Sequence, residues 1–184
     1  VNPSKNFQTK KPDFFSRSHK PLTVATALFI LFSAPWARQV LNWLKVNLGL
    51  GLLKVLIGIL FICAGAAFIY LIRLWKKPPA RIVLIIILFL AGLFYSFTIS
   101  AYPEERVHLM EYGALGLLAC ASRRGETEKG WRRLFIPLII VFGVGAADEF
   151  FQWLLPSRVG DFRDLFFNFL GGLWGVALYF AAKK

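Results

Sequence analysis

Seven of the ten carboxylates in this 184-residue sequence fall into three short stretches. Glu104, Glu105 and Glu111 accompany His108; Asp148 and Glu149 precede Gln152; Asp161 and Asp164 precede Asn168. An imidazole one helical turn from a carboxylate is a general acid/base pair, so His108 and Glu111 are candidates for proton transfer. Asp148 and Glu149 are candidates for the same role, and no catalytic residue is singled out among the four. Adjacent acids inside an apolar run are costly unless paired or hydrated. Arg158 and Arg106 are the available ion partners. The planar fork of Arg158 also suits a phosphate.

Other chemistries find less support. One histidine with no thiolate nearby does not make a transition-metal site. Glu111, Asp148 and Glu149 offer an oxygen-rich cation site only if the fold brings them together. No metal and no cofactor is required. Cys63 and Cys120 sit inside apolar runs, so neither a disulfide framework nor a cysteine metal site is expected. Ser157 has no neighbouring base and is not a candidate nucleophile. Purely structural roles compete with the functional ones. Asp161 and Asp164 suit a helix N-terminus and its dipole, and Gln152 and Asn168 suit hydrogen bonds between helices.

The elements that must position these residues follow from composition. The chain is 57% hydrophobic and 17% charged, with a mean hydropathy of +0.59. Soluble domains carry about 45–50% apolar and about 25% charged residues. Long uncharged runs such as Ile82 to Tyr102 match the roughly 20 residues that cross a bilayer. A soluble domain is excluded. The expected fold is all-α, a polytopic transmembrane helical bundle of about six spans. These lie at about 22–37, 50–72, 82–102, 107–122, 134–155 and 163–182. Residues 1–20 form a basic cytosolic tail and 21–184 a single transmembrane domain. The first span lacks a small-x-small cleavage pattern and is expected to stay uncleaved. Residues 38–48 read as a short amphipathic connector at the interface.

The net charge of +12 is spread as blocks between apolar runs. That distribution sets membrane orientation and argues against nucleic acid as a partner. Six spans leave both termini on one side, together with nearly all the excess Lys and Arg. That side is therefore expected to be cytosolic. The three acidic stretches fall at the opposite, outer ends of spans four, five and six.

At a rise of about 1.5 Å per residue, Glu111, Asp148 and Asn168 lie about 7, 10 and 8 Å below the outer surface. Helical phase adds to this common depth. Glu105, His108, Glu111 and Tyr112 share one face of span four, and Asp148, Glu149 and Gln152 share an arc of span five. Asp161, Asp164, Asn168, Gly171 and Gly175 share a face of span six. A Gly-x-x-x-Gly pair on that face admits close approach of a neighbouring helix. The prediction is one outward-facing pocket. Its ligand-binding set is Glu105, His108, Glu111, Tyr112, Asp148, Glu149, Gln152, Arg158, Asp161, Asp164 and Asn168.

The strings Arg106-Val107-His108-Leu109-Met110-Glu111-Tyr112-Gly113 and Asp148-Glu149-Phe150-Phe151-Gln152 resemble the VanZ-like family. So do Pro156-Ser157-Arg158 and Asp164-x-x-x-Asn168-x-x-Gly171-x-x-x-Gly175. The resemblance covers about residues 80–180; the first two spans are additional to the shorter members. It implies a multi-pass protein of the bacterial cytoplasmic membrane and cell envelope, in a family whose namesake is associated with teicoplanin resistance. It carries no settled activity. The phosphotransbutyrylase label given to some members finds no acyl-phosphate or coenzyme A motif here.

Three functional classes remain. The first is binding of a polar or lipid-linked envelope ligand at the outer pocket. Membrane lipids, a lipid-linked cell-wall precursor and a glycopeptide are the candidate partners, and the oligomeric state is left open. The second is transfer or hydrolysis of a lipid headgroup there. The third is ion-coupled transport, which the lack of matching polar residues in the cytosolic halves disfavours.

Overall fold

The computed structural model describes residues 19–74, 78–98, 103–123, 130–154 and 162–183. Residues 1–18 of the basic tail, Arg158 and Asp161 lie outside the described residues, as does the side chain of Glu105. Five helices follow one another: α1 (Lys20–Leu74), α2 (Pro79–Thr98), α3 (Pro103–Ser122), α4 (Arg132–Trp153) and α5 (Phe162–Ala182). Gly49 breaks α1 into two arms, 20–48 and 50–74, so the described residues form six helical segments. The protein is an all-α helical bundle, with no strand among the described residues.

Helix α1 does not end with the expected first span near residues 36–38. The first arm runs through the supposed connector and stops only at Gly49, whose φ of 76° and ψ of 154° are left-handed. Glycine enters that region without a Cβ penalty, and no other residue between Gln39 and Gly49 does so readily. The first arm is thus about 43 Å long at 1.5 Å per residue.

Among the described residues four segments are long and apolar enough to cross a membrane: Gln39–Arg73 within α1, α2, α4 and α5. The apolar stretch Lys20–Ser33 is shorter. Helix α3 is the least apolar, and its position accounts for that. It packs against every other helix, most extensively α5, so protein rather than lipid surrounds its polar residues.

Contacts fix the relative directions. Gly171 faces Leu109 and Tyr112, and Gly175 faces Gly113, so α3 and α5 run side by side in the same direction. In contrast, Val141 meets Gly172 while Gly145 meets Leu165 and Asn168, which makes α4 antiparallel to α5. Helix α2 is also antiparallel to α5, with Tyr95 stacked near Phe167 and the indole nitrogen of Trp174 donating to the Leu88 carbonyl at 2.8 Å. The first arm is tied to α3 where the Thr23 hydroxyl donates to the Leu118 carbonyl at 3.0 Å.

Two apolar cores result. One gathers Ile72, Ile85, Cys120, Val176 and Tyr179 at the end of the bundle where α3 and α5 finish. The other joins Ile30, Tyr112, Leu115 and Val141 higher up, directly beneath the polar residues. The seam between α3 and α5 has no side chains to spare. A Cβ on Gly116 would strike the backbone of Gly172, and one on Gly175 the backbone of Gly113. This is the close approach expected of Gly171 and Gly175, and it sets the height of Asn168 against His108 and Tyr112.

Candidate functional site

The site is built from the three helices that share this seam. Tyr112 is fully buried on α3, and its hydroxyl donates to Oδ2 of Asp148 on α4 at 3.1 Å. Asp148 is 1% exposed, so this is a carboxylate held inside the bundle. Gly145, one turn earlier on α4, leaves room for the neighbours. A Cβ there would lie 3.5 Å from the Asn168 Cβ and 3.6 Å from the Tyr112 ring. Three helices thus bring Tyr112, Asp148 and Asn168 to one layer.

Asn168 is also 1% exposed, and neither its amide nitrogen nor its amide oxygen has a hydrogen-bond partner among the described residues. A buried polar group left unsatisfied costs about 1–3 kcal/mol. Gln152, one turn beyond Asp148, is buried as well.

The acid/base pair is present at the rim of this layer. Nδ1 of His108 is 3.5 Å from Oε2 of Glu111, and both side chains are about one-fifth exposed. The imidazole lies 6.1 Å from the Tyr112 ring, centroid to centroid. The charges of Glu111, Asp148 and Asp164 all act on His108, and those of Asp148, Glu111 and Glu149 act on Tyr112. Apolar neighbours such as Leu115 and Val141 keep the layer poorly screened, so these charges reach further than they would in water.

Of the residues expected at the site, the structure therefore gathers His108, Glu111, Tyr112, Asp148 and Asn168. Glu149, Gln152 and Asp164 stand next to them on the same helices. Asp164 occupies the first turn of α5, where its charge also suits the helix dipole. Glu111, Asp148 and Glu149 do not form the oxygen-rich cation trio. Among the described residues no three His, Cys, Asp or Glu side chains are placed to hold a metal ion.

Two polar residues near this end were absent from the expected ligand set. Arg106 is buried at 2% exposure, with its guanidinium carbon 4.9 Å from the centre of the Phe97 ring. Ser96 on α2 is completely buried, and its hydroxyl has no hydrogen-bond partner among the described residues. The signal for Ser96 was the Tyr95-Ser96 pair interrupting an otherwise apolar span. For Arg106 it was a cation one turn before Met110, at the start of a helix packed on all sides.

The model of the VanZ/LLP1 family matches residues 104–183, so the part of the chain from α3 to α5 is VanZ-like. The match begins at α3 rather than at residue 80, and leaves α1 and α2 outside it. Neither a curated relative nor a solved structure matches the chain. The matched region contains every residue of the buried polar layer. The VanZ-like likeness belongs to this C-terminal part, and four of the described helical segments are long and apolar enough to span a bilayer.

Proposed function

We propose that this protein, VanZ-like from α3 to α5, is a membrane protein that binds a polar or charged envelope ligand among the ends of those helices. One observation carries the reading. Asn168 offers a donor and an acceptor inside a bundle, beside the Tyr112–Asp148 hydrogen bond, and no described residue uses either. A ligand headgroup with both donors and acceptors would recover the free energy that this arrangement leaves unspent. By the charge rule this end faces outward, towards lipid headgroups and lipid-linked cell-wall precursors. A link to teicoplanin tolerance is what the family name supplies. Below Asn168 the α3–α5 seam has no room for a Cβ, which speaks against an ion path along it.

A second reading rests on the His108–Glu111 pair. Glu111 would orient the imidazole, and the far ring nitrogen would pass a proton to or from a headgroup ester or phosphate.

The test uses purified full-length protein and an envelope-lipid extract, with a glycopeptide tolerance assay in cells. Asp148→Asn and Glu111→Gln are expected to keep wild-type thermal stability in detergent while losing retained lipid and tolerance. His108→Gln separates the two readings: under the second, wild-type protein converts a headgroup lipid and the variant does not, whereas under the first neither converts it. Stable Asp148→Asn and Glu111→Gln proteins with full activity would falsify the site and leave these carboxylates as scaffold.

A further inference from the structure

The charges around the buried polar layer do not balance. Glu111, Asp148 and Asp164 act on His108, and Asp148, Glu111 and Glu149 act on Tyr112. Four carboxylates therefore flank two side chains whose rings lie 6.1 Å apart. Against them, the described arginines at this end of α3 and α5 are Arg106 and Arg163. Arg106 lies over the Phe97 ring at 4.9 Å and Arg163 over the Phe167 ring at 5.3 Å. Helix α4 has no cation beyond Arg133, at its opposite end. On the first arm of α1, Lys45 stands about 22 Å of helix beyond Ile30, which packs beside Tyr112. Even with His108 protonated, the described carboxylates outnumber these neighbouring cations four to three. In surroundings as poorly screened as these, that excess attracts a cation and repels an anion.

Asn168 adds the shape of the partner to its sign. The side chain is 1% exposed, and neither its amide oxygen nor its amide nitrogen has a partner among the described residues. The oxygen accepts an N–H and the nitrogen donates to an acceptor, so the missing group carries a donor and an acceptor side by side. Access is narrow, because His108 and Glu111 at the rim are only about one-fifth exposed. A single nitrogen on a short carbon stem is slender enough to enter, whereas a tetrahedral phosphate is bulkier and of the wrong sign. A bare metal ion suits the site less. Among the described residues no three His, Cys, Asp or Glu side chains are placed to hold one.

We infer that the site takes a primary ammonium with an oxygen on the neighbouring carbon, the 2-amino alcohol unit of an ethanolamine headgroup or of a free amino alcohol or amino sugar. This rests on the binding role proposed above and adds the charge and form of what is bound. A primary ammonium has three N–H donors to spread over separate acceptors. The Asn168 amide oxygen takes one, the Glu111 and Asp148 carboxylates balance the charge, and the Asn168 nitrogen donates to the neighbouring oxygen.

The experiment follows the thermal midpoint of the full chain in detergent while short-chain lipids are titrated in. Dihexanoyl phosphatidylethanolamine is compared with the phosphatidylcholine, which keeps the positive charge but has no N–H, and with the phosphatidylglycerol, which has no cation. The ethanolamine lipid is expected to half-saturate at a concentration about tenfold below either of the others. Glu111→Gln is expected to weaken the ethanolamine lipid about tenfold and to leave the glycerol lipid unchanged. Asn168→Leu, close to isosteric, is expected to lose the preference while its ligand-free midpoint equals or exceeds that of the wild type, since it removes an unsatisfied buried amide. Ethanolamine and glucosamine, added in water, form the second arm. If they saturate with the same dependence on Asn168, the source is a free amine; if only the lipid does, it is a headgroup, and the ammonium assignment stands in both cases. It is overturned if the choline or glycerol lipid matches the ethanolamine lipid. Should that binding still vanish in Asn168→Leu, the binding site survives and only its preference for an ammonium is lost. No midpoint shift from any amine overturns the assignment as well, and lipid retention in Asp148→Asn then decides separately whether a binding site exists.

Discussion

The contact between α3 and α5 sets the height at which the site residues meet, and Gly175→Ala tests it directly. A Cβ on Gly175 would lie against the Gly113 carbonyl oxygen, 2.6 Å from its carbonyl carbon and 2.9 Å from its Cα. Carbon atoms ordinarily pack at about 3.5–4.0 Å, so the two helices must separate by about 1 Å. All three atoms struck are backbone, and no rotamer can swing aside. Overpacking typically costs about 1–3 kcal/mol, and the upper part of that range is expected here. Gly143→Ala is the matched control, because a Cβ there has nothing within 4 Å. It is expected to be neutral or to stabilise by up to about 1 kcal/mol through helix propensity. The assay is the thermal midpoint of both purified variants in one detergent. The site readout is lipid retention, which should fall in Gly175→Ala because Asn168 moves with α5 away from Tyr112. A Gly175→Ala midpoint equal to that of the wild type would show that the seam is looser than described, and the argument for a fixed polar layer would go with it.

Three further outcomes are expected. Tyr112→Phe removes the hydrogen bond to Asp148 without changing the core volume and should cost about 1–3 kcal/mol in unfolding measurements, against no loss if the bond contributes nothing. Gly49→Ala should destabilise by about 1–2 kcal/mol by the same measurement, although a Cβ there touches nothing, because the residue must hold a φ of +76°. For topology, Ser157→Cys should react with an impermeant thiol reagent added from outside, and Thr127→Cys should react only after the membrane is opened. The opposite pattern would invert the orientation read from the charges.

The membrane class and the helical fold were legible because they depend on sums along the chain. Burying about 20 consecutive apolar residues in a bilayer needs no information about neighbours. Phase within each helix is equally local, which is why His108, Glu111 and Tyr112 could be placed on one face of α3 and Asp148 beside Gln152 on α4. Gly171 and Gly175 likewise announced a close approach by their lack of side chains. What was not legible depended on which helices meet. That α3 should be the central helix, enclosed on all sides, follows from packing across the bundle, and it alone explains how Arg106 is buried in so short a span. The identity of the helix against Gly175 was open until Gly113 was found there. That no described residue uses the Asn168 amide depends on everything around it, so no pattern in its own helix could reveal it. The end of the first helical arm was not legible for a related reason: composition marks where an apolar run stops, whereas the helix runs on to Gly49, whose φ of 76° and ψ of 154° essentially only glycine adopts. The packing of Phe61 and Phe89 on Trp174, with Gly65 against the Phe89 ring, is the clearest case: these residues read only as apolar in sequence, and no local period connects the three segments that meet there.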